Sequence, residues 1–165
     1  MTSARILSPW AASAILYFVT ADRLLGIDYG ERRIGLAVSD GAVAVPLSIV
    51  EHEGRAADLD RIVDVVREQR VEAVVVGLPL LPSGEEGEQA RRCRRFGEAL
   101  ARRIDVPVLC QDESFTSASA QESLLELAGA RRSPRGRRQR VDDLAAASIL
   151  QAHIDEHRGQ PERGA

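Results

Sequence analysis

Acidic residues at the ends of apolar segments are where this chain could do chemistry. Asp28 closes the apolar run Leu24-Leu25-Gly26-Ile27, and Asp112-Glu113 follows Val106-Pro107-Val108-Leu109-Cys110 in the same relation. Asp142-Asp143 stands at the start of a third apolar-periodic segment. A carboxylate in such a place loses hydration unless hydrogen bonds or a cation compensate. Singly, each has a plain structural use: Asp28 as a turn former, Asp112-Glu113 as a solvated strand end, Asp142-Asp143 as the charged cap of a helix N-terminus. Together they point elsewhere. The carboxyl ends of parallel strands share one sheet edge, where ligands bind. A third acid delivered there by a helix completes a cluster that repels itself unless divalent cations hold it. Mg²⁺ suits a few carboxylates with retained water. Two ions roughly 3.5–4 Å apart activate a water and stabilise the leaving oxygen of a phosphodiester. Metal-free acid/base chemistry needs two carboxyls in contrasting environments, and no such pair stands out.

Beside the last acids lies a basic run, Arg131, Arg132, Arg135, Arg137, Arg138 and Arg140, with Ser133-Pro134 and Gly136 within it. Those breakers predict a polar loop over 131–140, and its arginines suit phosphate contacts. Arg91, Arg92, Arg94 and Arg95 alternate with Cys93 and Phe96, which predicts an outward, solvated helix face. The 22 basic residues are all arginine, against 25 acidic ones, for a net charge of -3. That sum argues against a polyanionic partner, but a mean is silent about where the charges sit.

The elements that must position these residues follow from the period of the apolar positions. Leu24–Asp28 and Ile34–Val38 read as a hairpin, and Ala42–Val50 as a third strand, at an edge or bulged near Pro46. Leu59, Ile62, Val63 and Val66 predict an amphipathic helix. The β-branched run Val71–Gly77 predicts a strand buried on both faces. A loop from Pro79 to Gly87 leads to a helix carrying Cys93, Phe96, Leu100 and Ile104, and Val106–Gln111 forms the fifth strand. Ser119 and Glu122 fit a capping box for a helix with Leu124, Leu125 and Ala128, ended by Gly129. Val141, Leu144, Ala145, Ile149 and Ala152 mark the last helix. The expected architecture is α/β: a central mixed five-stranded sheet, three antiparallel strands first and parallel strands after, flanked by helices.

With 165 residues the chain is one domain's length, expected at 23–156 with a polar tail at 157–165. Residues 1–22 are expected to be an extension of uncertain role. Their apolar run Pro9–Val19 imitates a secretory signal, but it is too short to span a bilayer and the first core strand follows at once. Cys93 and Cys110 read as core residues in a reducing compartment. His52, His153 and His157 lack partners at ligand spacing and read as surface residues. P-loop and dinucleotide fingerprints are absent. Ser114, Thr116 and Ser117 have no readable histidine base.

Four blocks, in order, carry a family resemblance. Leu25-Gly26-Ile27-Asp28-Tyr29-Gly30 with Arg32-Arg33-Ile34-Gly35-Leu36-Ala37 is the first. Val76-Gly77-Leu78-Pro79-Leu80 with Ser83-Gly84 and Glu88-Gln89-Ala90 is the second. Asp112-Glu113-Ser114-Phe115-Thr116-Ser117 and Val141–Ala147 with Ile149-Leu150 complete the set. They resemble the YqgF/RuvX family, Holliday-junction-resolvase-like proteins named as pre-16S rRNA nucleases. The resemblance covers Leu24 to His153 and implies an RNase H-like fold, a cytoplasmic location and an Mg²⁺- or Mn²⁺-dependent endonuclease that trims the 5′ end of precursor 16S rRNA. By motif position, it implies Asp28, Glu113 and Asp142 as catalytic metal ligands. Arg32, Thr116, Arg135, Arg137, Arg138 and Arg140 are the expected substrate contacts. The implied partner is RNA or a ribosomal precursor particle, without a membrane, and the protein a monomer or homodimer. One departure stands out: Ser114 occupies a position where the family usually has arginine, so a charged fork is lost. That departure keeps a non-catalytic RNA- or ribosome-binding module in view, and a resolvase of branched DNA, with the same chemistry as the nuclease, is the other alternative. Gly26–Gly30 also resembles the first phosphate motif of sugar kinases and actin-like ATPases, but those need two lobes and this chain holds one.

Overall fold

The structure, a computed structural model, describes residues 5–6, 21–113 and 134–158 of the chain, with side chains at 21–113 and 144–157. The expected five strands form the body of the sheet: β2 (Arg23–Tyr29), β3 (Arg33–Asp40), β4 (Ala44–Glu51), β5 (Ala73–Leu78) and β6 (Val108–Asp112). A two-residue strand, β1 (Arg5–Ile6), pairs antiparallel with β6 at the outer edge. The sheet order is β1-β6-β5-β2-β3-β4. Strands β2, β3 and β4 are antiparallel neighbours, whereas β5 runs parallel to both β2 and β6. In keeping with Pro46, β4 is an edge strand, and its register shifts where Leu36 pairs Ser48 but Ala37 pairs Pro46. A proline cannot donate to a ladder, so an edge and a bulge are where it is tolerated.

Alternation sorts each strand onto two faces. Leu25, Ile27 and Tyr29 of β2 face helices α1 (Arg55–Glu68) and α2 (Glu88–Ala101), where Leu59, Ile62, Val63, Val66, Cys93, Phe96 and Leu100 form the larger core. The predicted helical spacings are thus the buried faces, except that α2 ends at Ala101 and the partly buried Ile104 lies beyond it. Leu24 of β2, Val75 of β5 and Leu109 of β6 face the other way, against Leu144, Ala146, Ala147, Ile149, Leu150 and Ile154 of α3 (Pro134–Arg158). Strand β5 is buried at every position, because both faces are covered. At Gly26 α3 comes so close that an added Cβ would lie 2.8 Å from the Ala146 carbonyl oxygen and from Leu150 Cβ.

Three expectations need correction. The basic segment is not a loop throughout, since α3 begins at Pro134 and includes Arg135, Arg137, Arg138 and Arg140. Proline is well suited to the first helical position, and Gly136 costs only about 1 kcal/mol in a helix of 25 residues. Asp142 therefore lies about two turns into the helix and is not its cap. The histidines are also not plain surface residues. His153 is 1% exposed, and its Nδ1–H donates to Gln111 Oε1 at 3.0 Å, while Gln111 Nε2 donates to Glu156 Oε2 at 2.9 Å. Desolvation first, then the nearby His157, lowers the His153 pKa to about 3, so it packs as a neutral ring. His157 Nδ1 donates to the His153 carbonyl oxygen at 2.8 Å. His52 is the third case, described below. The predicted capping box at Ser119 and Glu122 lies outside the described residues, as does Ser114.

Candidate active site

Asp28 is half-buried at the end of β2, and alternation directs it to the α3 face together with Gly26. Glu113 follows β6 directly and reaches across β5. An added Cβ on Gly77 would overlap the Glu113 Oε1 atom and Ile149 Cδ1, so the absence of a side chain at Gly77 is what lets this carboxyl lie over the strand. A glycine inside a β-branched strand is the sequence signal for such a close approach.

The two carboxyls sense each other. Burial chiefly, then the charges of Asp28 and Asp112, raise the Glu113 pKa to about 7. Asp112 is 7% exposed and pairs in register with Leu78, and alternation turns it to the opposite face of the sheet from Glu113. Of the two acids ending β6, Glu113 is therefore the one brought to Asp28. Asp142 stands one helical turn before Ala146, the residue packed on Gly26, which sets its backbone toward the strand end carrying Asp28. Its side chain lies outside the described ones, and among the described residues no group of three potential metal ligands occurs.

The turn after Asp28 is clamped from the opposite face. Gln89 Nε2 donates to the Tyr29 carbonyl oxygen at 2.9 Å, and Cys93 Sγ lies 3.6 Å from the same oxygen. Burial, then Glu113, Asp28 and Cys110, push the Cys93 thiol up to about 12 against the lowering effect of Arg92. It therefore stays a neutral donor. His52 Nε2 lies 2.8 Å from the Gly30 carbonyl oxygen, and its Nδ1 2.9 Å from Asp58 Oδ2. Sequence periodicity could not reveal this clamp, because it joins residues 22 to 64 positions apart.

Arg32, exposed, lines a cavity of about 290 Å³ with Asp28, Gly30, Glu31 and Arg33, so this expected phosphate contact is placed beside the candidate carboxylate. Arg135, Arg137, Arg138 and Arg140 lie on the first turns of α3, with side chains outside the described ones. Thr116 is also outside the described residues. Cys93 and Cys110 are buried thiols outside any disulfide, as expected of core residues. Arg92 departs from its expected solvated face: its guanidinium carbon stands 5.1 Å from the centre of the Tyr29 ring.

Asp28 and Glu113 fit a divalent cation. Both offer hard oxygen donors, and the raised Glu113 pKa reports burial first and then repulsion from Asp28 and Asp112, both of which a bound cation would offset. Among the described residues no helix is long and apolar enough to cross a membrane.

Comparison with known proteins bears on the family and the fold. Residues 22–156 match the RuvX family, described as Holliday junction resolvase. A protein of Anaeromyxobacter sp. (strain Fw109-5) named "Putative pre-16S rRNA nuclease" is 47% identical over 135 residues, 81% of this chain and 96% of its own length. A relative of the same name from Roseiflexus sp. (strain RS-1) is 38% identical over 138 residues, 82% of this chain and 96% of its own. The solved structure of T. thermophilus RuvC in complex with Holliday junction substrate aligns with TM-score 0.54 at 22% identity, over 83% of this chain and 96% of that one. That likeness concerns the fold, which is RNase H-like. With the motif blocks, the sheet order and these matches in agreement, the chain belongs to the RuvX family, a family of nucleases.

Proposed function

We propose that this protein is a cytoplasmic Mg²⁺- or Mn²⁺-dependent endonuclease that processes the 5′ end of precursor 16S rRNA. The observation that carries the reading is the meeting of Asp28 and Glu113 on one face, at the carboxyl ends of strands flanking β5, beneath the helix that carries Asp142.

Asp28, Glu113 and Asp142 would hold the cations. When bound, these ions supply an activated water and charge stabilisation at the phosphodiester. The protein's own part is positioning. The clamp on Tyr29 and Gly30 fixes the strand end that presents Asp28. Gly77 leaves room for the Glu113 carboxyl, and Arg32 stands where it can pair with a phosphate. Arg135, Arg137, Arg138 and Arg140, in the first turns of α3, are the further phosphate contacts of this reading.

The test offers the purified protein a 5′-extended 16S precursor and a four-way DNA junction, each with Mg²⁺, Mn²⁺ or EDTA. Metal-dependent cuts at the mature 5′ end, mapped by primer extension, support the reading. Cleavage of the junction alone makes it a DNA resolvase. RNA binding without cleavage under either metal makes it a binding module.

A further inference from the structure

On the sheet face opposite Asp28, a second cavity of about 340 Å³ opens between α1 and α2, next to the Tyr29 ring. Arg55, Arg92 and Arg95 line it, and among the described residues the only carboxylate in its lining is Asp58. Asp58 is 2% exposed, and both its oxygens are committed: Oδ2 to His52 Nδ1 and Oδ1 to the backbone N–H of Glu53 at 3.0 Å. Its charge is thus spent on the wall. Among the described residues, none of the three guanidinium groups pairs with a carboxylate. Arg55 donates to the Arg95 carbonyl oxygen at 3.0 Å, and Arg92 lies over Tyr29, 3.5 Å from His52 Nε2. The cavity also includes Gly54, which has no side chain to cap the first turn of α1. A chain of net charge -3 thus gathers three cations around one hollow. An anion with several acceptor oxygens satisfies such a set, and arginine forks favour phosphate over a point charge.

We infer that this cavity is a second phosphate-binding site that holds a backbone phosphate of the strand cut at Asp28 and Glu113. The inference rests on the nuclease reading for the identity of the strand. Two features favour a polymer over a small free phosphate. Arg95 is exposed at the rim, so the site is open toward solvent. Asp28 and Tyr29 are consecutive in β2 and point to opposite faces, so one polyanion passing over this sheet end meets both sites. The ring of Tyr29 is stacked on Phe96 at 4.0 Å and is 5% exposed, so it forms the floor and is not a platform for a base.

The test compares the full-length protein with Arg95→Gln, Arg92→Lys and the double variant Arg92→Gln/Arg95→Gln. Binding of a labelled single-stranded RNA is read by fluorescence anisotropy across a salt series, and inorganic phosphate binding by the NMR signals of His52 and Gly54. The double variant should bind RNA about 10-fold more weakly, with a salt slope shallower by about 0.7, as expected when one phosphate fewer is neutralised. It should raise KM while leaving kcat within about two-fold. Arg92→Lys keeps the charge and should retain most of the binding, and Arg95→Gln, at the rim, weakens RNA binding without touching the core. RNA affinity and salt slope equal to wild type in a folded double variant would overturn the inference. Inorganic phosphate shifting His52 while RNA binding is unaltered would also overturn the strand assignment, and would make the occupant a small phosphate. Binding lost in the double variant while wild type never cuts RNA upholds this site and sinks the nuclease reading. Unaltered binding with normal cutting does the reverse.

Discussion

The carboxyl group of Glu113 occupies the space that a side chain on Gly77 would need. This makes a residue with no functional group a determinant of the site. Gly77→Ala should fold, because the carboxyl is the far end of a flexible side chain and can swing aside. The expected cost is on the order of 1 kcal/mol of stability, partly from crowding Ile149. Cleavage should fall by roughly 100-fold, since a misplacement of about 1 Å suffices for that. Urea unfolding alongside single-turnover cleavage separates the two effects. Wild-type cleavage by Gly77→Ala would show that Glu113 need not lie where it does.

Glu113 should also weaken the fold it serves. Its pKa is raised from 4.5 to about 7 in the folded chain, so the native state binds the proton more tightly than the unfolded one. Stability from this group is full below about 4.5 and lost as pH rises through 7. Glu113→Gln mimics the protonated form. In metal-free buffer at pH 8 it should therefore be more stable than wild type by roughly 3–4 kcal/mol, at roughly 1.4 kcal/mol for each pH unit between the unfolded and folded pKa values. The gain should shrink toward pH 4.5. Chemical denaturation at several pH values in EDTA measures it, and an unchanged or lowered stability at pH 8 would contradict the burial of this carboxyl beside Asp28.

His153 gives the opposite slope. Its pKa falls from 6.5 to about 3 on folding, so its contribution is present above 6.5 and lost as pH drops toward 3. Each pH unit in that window removes about 1.4 kcal/mol. His153→Gln cannot take up the proton, and the acid loss of stability below pH 6.5 should be shallower in it than in wild type. Parallel pH profiles for the two proteins would mean that His153 is solvated.

Much of this is legible in the residues. Leu59, Ile62, Val63 and Val66 fall on one helical face and are buried, and Pro46 does mark an edge strand with a shifted register. Asp28 and Glu113 are conspicuous because a carboxylate ending an apolar run stands out, and motif spacing prefers Glu113 over Asp112. Alternation then explains that preference. Less is legible where the determinant is long-range. The His52 contacts with Gly30 and Asp58, the burial of His153 and the approach of Arg92 to Tyr29 depend on segments that only the tertiary fold brings together. The early start of α3 is hidden for a local reason. Ser133-Pro134 reads as a breaker, although proline at the first helical position interrupts nothing. The net charge of -3 is the poorest guide, because three arginines line one cavity and Arg32 another.

The central claim is that Asp28 and Glu113 act together on a divalent cation to cut a phosphodiester. Single-turnover cleavage of a 5′-extended 16S precursor by wild type, Asp28→Asn and Glu113→Gln, titrated with Mg²⁺ and with Mn²⁺, tests it most directly. Wild type should cut only when metal is present. Either substitution should lower the rate by at least about 100-fold, more than the loss of a residue that merely supports a ligand, while RNA binding stays within about three-fold. Cleavage by wild type in EDTA, or near-normal cleavage by folded Asp28→Asn, would contradict the account.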